Sequence, residues 1–276
     1  MKNQQILVIG GTGKTGKRVV ARLNKLGHQV RVGSRSADIP FDWHQPNTWA
    51  KALTGIEAVY ITFQPDLAVP GATEVIQSLS SMAVNLGVKH LVLLSGRGEK
   101  EAQACEQIVM NAGTAWTIVR ADWFHQNFSE SVFLEPVLAG HVALPRAEAR
   151  IPFVDVEDIA DIVTAALTDA QHQGQIYELT GPRLLSFEEV VLEIAKETGR
   201  NIQYQAVSMD EYNQLLKQHQ LPNDYIWLVN YLFDEVLDGR NAHLTQDVEK
   251  VLGRPARDFS EYAKATALTG VWHPQG

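Results

Sequence analysis

The sequence predicts a doubly wound α/β protein, with a parallel sheet covered by helices on both faces. Two observations carry this prediction. Short apolar runs rich in β-branched residues alternate with segments of helical periodicity, which is the order of a parallel sheet with crossover helices. The runs are apolar throughout, as strands buried on both faces require. The first of them passes directly into a glycine-rich turn.

The first half of the chain supplies the predicted strands and the helices between them. The predicted strands are "QQILVIG", "HQVRVGS", "EAVYITF", "VKHLVLLS" and "AWTIVR". The predicted helices are "KRVVARLNKLG", "TEVIQSLSSMAVNLG" and "EAQACEQIVMNAG". Gly27 and Gly87 stand where the first two of these helices end, as C-terminal glycines do.

The second half is dominated by helices after about residue 120. Its helical segments are "VEDIADIVTAALTD", "SFEEVVLEIAKETG", "SMDEYNQLLKQH", "PNDYIWLVNYLFDEVLDG", "LTQDVEKVLG" and "DFSEYAKATALTG". Short strand candidates, "QIYELTG" and "IQYQAV", lie between them. We expect a sheet domain over residues 1–150 to which 151–181 contribute, and a smaller, mostly helical lobe over 182–276, interleaved with it.

Composition narrows the functional classes. The 276 residues are 45% hydrophobic and 20% charged, typical of a globular protein, and the formal net charge of -8 argues against a nucleic-acid surface. The apolar run near the N-terminus is too short for a signal peptide or a membrane span, and the single Cys105 cannot form an internal disulfide. A cytoplasmic protein with no membrane or nucleic-acid partner is expected.

The glycine-rich turn is the strongest functional signal. Gly10, Gly13 and Gly16 follow a strand and open a helix, so the chain turns tightly and aims backbone N–H groups and a helix N-terminus at one place. Such a place binds an anion, and in an α/β sheet it typically takes the pyrophosphate of a dinucleotide. The alternative is a tight turn with no ligand.

The end of the second predicted strand favours NADP(H) over NAD(H). An NAD site places a carboxylate there, whereas an arginine favours the 2′-phosphate of NADP. This strand ends without a carboxylate at Gly33 or Ser34, and Arg35 follows. The alternative for Arg35 is a solvated surface side chain.

Other strand ends predict the remainder of the pocket. Ligands of open α/β sheets lie at the carboxyl ends of strands, which favours Thr62, Phe63, Ser95 and Gly96 as lining residues. After the strand "AWTIVR" comes an aromatic segment with a few polar groups, typical of a small-molecule pocket. The predicted substrate wall is Trp123, Phe124, His125, Asn127 and Phe128. The apolar run from Tyr225 to Phe233 is interpreted as core of the helical lobe, with a surface for a flat substrate as the alternative.

Two candidate groups have competing interpretations. His125 is a possible proton donor or a structural histidine. Asp155, Glu157, Asp158 and Asp161 suggest either a metal site or the acidic start of a helix, and the sequence favours the helix start. Since no His or Cys cluster has metal-ligand spacing, no metal is predicted.

Several motifs resemble the NmrA-like branch of the atypical short-chain dehydrogenase/reductases, nearest to bacterial relatives of the festuclavine and agroclavine dehydrogenases and of NAD(P)H quinone and azo reductases. The motifs are "ILVIGGTGKTG", "HLVLLSGRG", "WTIVRADWFHQNF", "IPFVDVEDIADIV", "GQIYELTGP" and the closing "GRPARDFSEYAKATALTGVW". The resemblance implies a Rossmann domain that binds NADP(H) and a C-terminal lobe that closes over the nicotinamide.

The resemblance also implies cofactor contacts, position by position. The pyrophosphate is expected at Gly10, Thr12, Gly13, Lys14, Thr15 and Gly16. The adenosine side is expected at Ser34, Arg35 and Asp42, and the ribose and nicotinamide at Thr62, Phe63, Gln64, Ser95 and Gly96. Ser95 is the second catalytic candidate beside His125.

One departure from the parent superfamily bears on the chemistry. The usual reductases use a Tyr and a Lys four residues apart as proton donor and its tuner, but alignment on Glu106 places Gly98 and Ala102 there. Lys100 is nearby without a tyrosine partner. Because an iminium or quinone accepts hydride without such an acid, we expect reduction of an iminium, quinone or azo compound.

A regulatory protein is the alternative function. NmrA itself resembles a dehydrogenase yet binds a dinucleotide and a partner protein, and a missing Tyr/Lys pair suits such a redox sensor as well. The expected ligand of the enzyme is a small aromatic or conjugated molecule. The sequence leaves open the physiological substrate, the hydride face, and whether the protein is a monomer or a homodimer.

Overall fold

The structure is a computed structural model that describes residues 4–274. These residues form two compact units. The first contains the chain up to Ala121, Val156–Leu179 and Lys250–Gly253. The second contains Asp122–Asp155, Thr180–Glu249 and the described residues from Arg254 onward.

The first unit is built on a six-stranded sheet with the strands β1 (Gln5–Ile9), β2 (Gln29–Gly33), β3 (Ala58–Ile61), β4 (His90–Gly96), β5 (Ala115–Ala121) and β7 (Gln175–Leu179). The strand order is β2-β1-β3-β4-β5-β7, and every neighbouring pair is parallel. The residues of β3 are all buried, as the apolar runs predict. The direction of the chain across the sheet reverses between β1 and β3, where α/β proteins bind their ligands.

Helices cover both faces of this sheet, which confirms the predicted doubly wound fold. The helices of the first unit are α1 (Lys14–Lys25), α2 (Trp49–Leu53), α3 (Ala72–Asn85), α4 (Lys100–Met110) and α6 (Val156–Thr168). On one face, Leu7 and Ile9 share a buried cluster with Ile76 of α3. The side chain of Tyr60 in β3 points to the other face of the sheet, where its hydroxyl donates to Thr15 of α1.

The acidic segment near residue 157 begins α6, in agreement with the helix-start interpretation. Glu157 lies in the first turn of α6, and both it and Asp161 form ion pairs with α1. Arg22 donates to Glu157 Oε2 and to Asp161 Oδ1, each over 2.6 Å. The two helices are therefore joined by charge-assisted hydrogen bonds. Within residues 4–274 no three His, Cys, Asp or Glu side chains are grouped as a metal ion would require.

The second unit is mostly helical and has its own core. Its helices are α5 (Leu134–Ala139), α7 (Phe187–Thr198), α8 (Met209–Gln218), α9 (Asn223–Tyr231) and α11 (Phe259–Ala267), and α10 (Asp247–Leu252) spans the division between the units. β6 (His141–Leu144) and β8 (Gln203–Ala206) form a parallel two-stranded sheet. The largest fully buried side chains here are Phe128, Phe153, Phe187, Phe233, Phe259 and Trp272. No described helix is both long and apolar enough to cross a membrane.

The division between the units differs from the predicted boundary at residue 150. The chain leaves the sheet at Ala121, the end of β5, and the aromatic residues after it pack in the core of the second unit. Residues 122–150 therefore lie in the second unit, and the first unit resumes at Val156. An apolar, aromatic segment does not reveal from its own composition which of two cores it joins.

The apolar run in α9 is divided between core and surface. Ile226 and Val229 are buried, as is Phe233 in the π-helical turn that follows, which agrees with the core interpretation. Trp227 is 43% exposed and stacks on Tyr231 with ring centroids 5.7 Å apart.

A buried histidine makes the first unit sensitive to acid. His90 Nε2 lies 2.9 Å from the hydroxyl of Thr117, and burial lowers the pKa of His90 to about 4. Below the ordinary histidine pKa the unfolded chain binds a proton that the folded chain does not, so stability falls as the pH drops from about 6.5 to about 4. We expect a loss of about 3 kcal/mol from this group.

Urea unfolding at pH 7.5 and pH 4.5 tests this prediction. His90→Gln keeps a hydrogen-bonding group near Thr117 and removes the titration, so its stability should decline less over this range than that of the wild type. His141, which is exposed on β6, provides the matched His→Gln control. Equal pH dependence in the wild type and His90→Gln would contradict the prediction.

Candidate functional site

Two glycines of the loop, Gly10 and Gly16, leave no room for a side chain. Gly10 has φ +70°, and a Cβ there would lie 2.2 Å from Oγ1 of Thr62. A Cβ on Gly16 would lie 2.1 Å from the carbonyl oxygen of Gly10. The loop is tied to the end of β2, because the amide of Gly10 donates to the carbonyl of Gly33 over 2.8 Å. Backbone hydrogen bonds and the absence of side chains at these glycines thus hold β1, β2 and α1 close together.

The N-cap residue of α1 supplies no capping side chain. Because this residue is Gly13, the first N–H groups of the helix are not satisfied by a side-chain cap. Thr15 is turned into the core, where its hydroxyl accepts from Tyr60, whereas Thr12 is exposed beside the loop. Lys14 is partly buried at the first helical position. The positively polarised N-terminus of a helix beside a glycine turn fits a pyrophosphate.

The end of β2 carries a cation and no carboxylate. Ser34 is half-buried, and its carbonyl accepts from the amide of Phe41 over 3.0 Å. Arg35 is exposed, and no described residue forms a hydrogen bond or ion pair with its side chain. Its guanidinium is therefore available for a ligand at this edge of the sheet.

Asp42 is held in a local turn. Its Oδ1 accepts from the amide of His44 over 2.9 Å, and its carbonyl accepts from the indole of Trp49 over 2.7 Å. The side chains of Phe41, Trp43 and Trp49 form an aromatic cluster around it. The carboxylate therefore has a structural partner, and its predicted contact with adenine stays a prediction.

The segment after β3 lies against the glycine loop. Thr62 Oγ1 donates to the carbonyl of Ile9 over 3.0 Å, and the Thr62 carbonyl accepts from the indole of Trp43. Phe63 packs edge-on against Trp43 with ring centroids 4.8 Å apart. Gln64 is exposed. Thr62 thus forms a hydrogen bond with the strand that leads into the predicted pyrophosphate loop, and it is itself one of the residues predicted to line the nicotinamide.

Ser95 is the start of a buried polar network at the carboxyl end of β4. Its hydroxyl donates over 2.6 Å to Oε1 of Glu106, which is 0% exposed. Arg120 of β5 donates to both oxygens of Glu106 and, over 2.8 Å, to Glu178 of β7. Arg97 also donates to Glu178, over 3.2 Å. The hydroxyl proton of Ser95 is thus engaged by a buried carboxylate, which is not the geometry of a proton donor to substrate.

The predicted substrate wall lies in the second unit and is only partly surface. Trp123 is half-buried and packs against Phe133, Phe187 and Phe233 with ring centroids 5.2 to 6.1 Å apart. Phe124 and Asn127 are also half-buried.

Phe128 is fully buried in the core of the second unit, so its side chain does not form part of a surface wall. Its carbonyl accepts from the indole of Trp272 over 2.7 Å.

His125 has the surroundings of a structural histidine. It is 0% exposed; its Nε2 lies 3.0 Å from the carbonyl of Phe153, and its Nδ1 lies 3.5 Å from Oδ2 of Asp155. The ring also packs against Phe259 and Tyr262. These contacts tie the segment after β5 to the segment before α6, and they favour the structural alternative over proton donation.

Glu106 is the functional candidate that sequence reasoning missed. It served only as an alignment point, although it shares the buried face of α4 with Ala102, Cys105 and Val109. A carboxylate among apolar residues at helical spacing must be buried with a partner, because an isolated buried charge is strongly unfavourable. That pattern was visible in the sequence, whereas the partner strand was not.

The fold and the glycine loop define a Rossmann-fold protein of the NAD(P)-binding oxidoreductase class, as the sequence predicts. The model of the NmrA-like family matches residues 39–265, and the chain belongs to that family.

Relatives of known activity cover nearly the whole chain. The NAD(P)H azoreductase of Xenophilus azovorans is 30% identical, over 95% of this chain and 98% of its own length. Festuclavine synthase I of Penicillium roqueforti is 28% identical, over 94% and 97% respectively. The resemblance stated from the sequence is confirmed.

Among solved structures, the Escherichia coli NADPH-dependent quinone oxidoreductase QOR2, solved in complex with NADPH, has the same fold. Its TM-score is 0.76 at 19% identity, covering 94% of this chain and 99% of the other.

Proposed function

We propose that the protein is an NADPH-dependent reductase of electron-poor small molecules such as an iminium, quinone or azo compound. The observation that carries this proposal is the tight glycine turn between β1 and α1, where a Cβ on Gly10 or Gly16 would lie within 2.2 Å of Thr62 or of the Gly10 carbonyl, beside a helix N-terminus whose N-cap residue supplies no capping side chain. A strand, a tight glycine turn and a helix N-terminus in this order are the usual site of a dinucleotide pyrophosphate. The azoreductase and festuclavine synthase relatives support the redox activity.

NADPH supplies a hydride when it is bound. The chain's part is to bind and orient. Backbone N–H groups of the glycine loop and the first turn of α1 hold the pyrophosphate, and Arg35 reaches the 2′-phosphate. The ends of β3 and β4, with Thr62, Phe63, Gln64, Ser95 and Gly96, line the nicotinamide side.

The residues around Ser95 support an acceptor that needs no protein acid. Gly98 and Ala102 stand at the positions of the usual Tyr and Lys, and Ala102 is fully buried. The hydroxyl of Ser95 donates to Glu106 and not outward. An alkoxide formed from a simple ketone would find no donor among these groups, whereas an iminium becomes a neutral amine on accepting hydride.

A panel of acceptors tests the reductase. Purified protein with NADPH should reduce at least one of a quinone, an azo dye and an iminium salt, and should leave simple ketones unreduced. Cofactor oxidation at 340 nm, with product analysis, is the measurement. Turnover confined to ketones would overturn the proposed chemistry.

The missing acid also favours a second candidate, a redox sensor that binds NADP(H) without consuming it. For the sensor, titration should show tight NADP(H) binding, with no turnover of any acceptor and a change in contacts to a partner protein. The wall around Trp123 favours the enzyme, because a half-buried aromatic surface suits a conjugated small molecule.

Arg35→Ala tests the choice of cofactor. Loss of a charge-assisted contact with the 2′-phosphate should weaken NADPH binding about tenfold to a hundredfold and leave NADH within about twofold. Fluorescence titration of both nucleotides measures this. Lys25→Ala, at the far end of α1, removes the same charge away from the loop and should change neither affinity. An equal loss for both nucleotides in Arg35→Ala would show that Arg35 does not bind the 2′-phosphate.

A further inference from the structure

The hydroxyl of Ser95 has one proton and a fixed acceptor for it. Glu106 is an acceptor in its ionised form, and its Oε1 lies 2.6 Å from Ser95 Oγ. Arg120 donates to both oxygens of Glu106: its Nη2 lies 2.6 Å from Oε2 and its Nε lies 2.9 Å from Oε1. The pKa of Arg120 is raised, chiefly by its hydrogen bond to Glu106. The Ser95 proton therefore points to α4.

The network is rigid because strands and a helix fix its members. Ser95 and Arg120 face each other in the pairing of β4 with β5, and Arg120 and Glu178 face each other in the pairing of β5 with β7. Glu106 is completely buried on α4, so water does not compete for its oxygens. Reversing the Ser95 hydroxyl would leave a buried carboxylate oxygen with one donor fewer, which is unfavourable.

We propose that Glu106 is a positioning residue that makes Ser95 a hydrogen-bond acceptor for an N–H group of the bound ligand. A hydroxyl that donates elsewhere offers only lone pairs. Such a group accepts from an amide or iminium N–H and repels a developing oxyanion. This inference rests on the proposed function, since it assigns Ser95 within the same site at the end of β4.

Two ligand groups carry such an N–H. One is the carboxamide of the nicotinamide ring, and the other is a protonated imine substrate. In the second case the hydride from NADPH adds to the carbon of the C=N bond, the C=N π electrons become the nitrogen lone pair, and NADP⁺ is released. The nitrogen keeps its proton throughout, so Ser95 accepts from the same N–H before and after transfer and no acid is needed.

Binding measurements separate these sources without requiring turnover. The first arm compares NADPH with its 3-acetylpyridine analogue, whose acetyl group replaces the carboxamide and carries no N–H. The second arm compares a protonated cyclic imine with its N-methyl iminium counterpart, both bound to the protein with NADP⁺. Affinities are measured for the wild type, Ser95→Ala, Glu106→Gln and Ser80→Ala.

In Ser95→Ala, the member of one pair that carries an N–H should lose about tenfold in affinity and its partner should stay within about twofold. The arm in which this happens identifies the N–H group. Ser80→Ala is the matched control, because Ser80 is buried in α3 and its hydroxyl has no hydrogen-bond partner among the described residues. It should change no affinity.

Glu106→Gln should reverse the preference. The amide group keeps its oxygen toward Arg120 and presents its N–H₂ to Ser95, so the Ser95 proton becomes available to the ligand. The affinity ratio between the N–H ligand and its partner should then fall below the wild-type ratio. Unfolding curves identify a Glu106→Gln protein that has failed to fold, and Ser95→Ala remains decisive in that case.

The failures are distinguishable. A wild-type protein that binds no nicotinamide nucleotide would overturn the proposed function, and this inference with it. A wild-type protein that binds NADPH while Ser95→Ala loses nothing, or loses equally for both members of both pairs, would overturn the inference alone.

Discussion

Gly16→Ala should lose NADPH affinity by at least ~100-fold, equivalent to about 3 kcal/mol of overpacking at the site. The added methyl group would lie 2.1 Å from the carbonyl oxygen of Gly10 and 2.8 Å from the Cα of Gly11. Both are backbone atoms, so the loop itself must move away from α1. The N–H groups that hold the pyrophosphate would move with it. Titration with NADPH, followed by nucleotide fluorescence, measures the loss.

Gly27→Ala is the matched control at the other end of α1. Gly27 has φ +81°, so alanine there is strained by about 1 kcal/mol, but no atom lies within 4 Å of the added methyl group. This variant should lose stability and keep its affinity for NADPH. Similar affinity losses in both variants would mean that general destabilisation, and not displacement of the glycine loop, explains the effect of Gly16→Ala.

Arg120→Leu should lower the free energy of unfolding by about 3–5 kcal/mol. Arg120 donates to both oxygens of Glu106 and to Glu178, and Glu106 is completely buried. Leucine fills part of the space but leaves a buried carboxylate without its cation. Urea unfolding at neutral pH is the measurement.

Arg150→Leu gives the comparison for an exposed ion pair. Arg150 and Glu189 are both about half exposed, so this change should cost less than about 1 kcal/mol. In the double variant Arg120→Leu/Glu106→Gln the buried charge is also removed, and the combined loss should be smaller than the sum of the two single losses. An additive result would indicate that Arg120 and Glu106 do not depend on each other.

The glycine loop and the sheet were predictable because their causes are local. The spacing of Gly10, Gly13 and Gly16 indicates a close approach of the backbone, and the apolar run of β3 indicates a strand buried on both faces. The site around Ser95 was only partly predictable. Arg120, which donates to Glu106, and Glu178, which also accepts from Arg120, lie on β5 and β7. The register that brings them beside Ser95 cannot be predicted from any one segment of the sequence.

The same limit explains two other differences. His125 is a residue type that often acts in catalysis, so the sequence leaves its role open. Its burial against Phe153 and Tyr262 is what favours a structural role. The observed division of the chain also differs from the boundary predicted at residue 150, because 122–155 join the second unit and aromatic residues suit either core. The role of His125 and the placement of residues 122–155 both depend on long-range packing, which local sequence propensities do not describe.

The order in which the segments of the two units follow one another along the chain also has a consequence for biosynthesis. When Ala121 has left the ribosome, β5 still has an open edge, because its partner β7 ends at Leu179 and residues 122–155 must be made in between. At that stage Arg120 lacks Glu178, and α1 lacks the carboxylates of α6. The sheet of a nascent chain is therefore completed only after residues 122–155 of the second unit have been synthesised, and until then its edge strand is exposed to pairing with other chains.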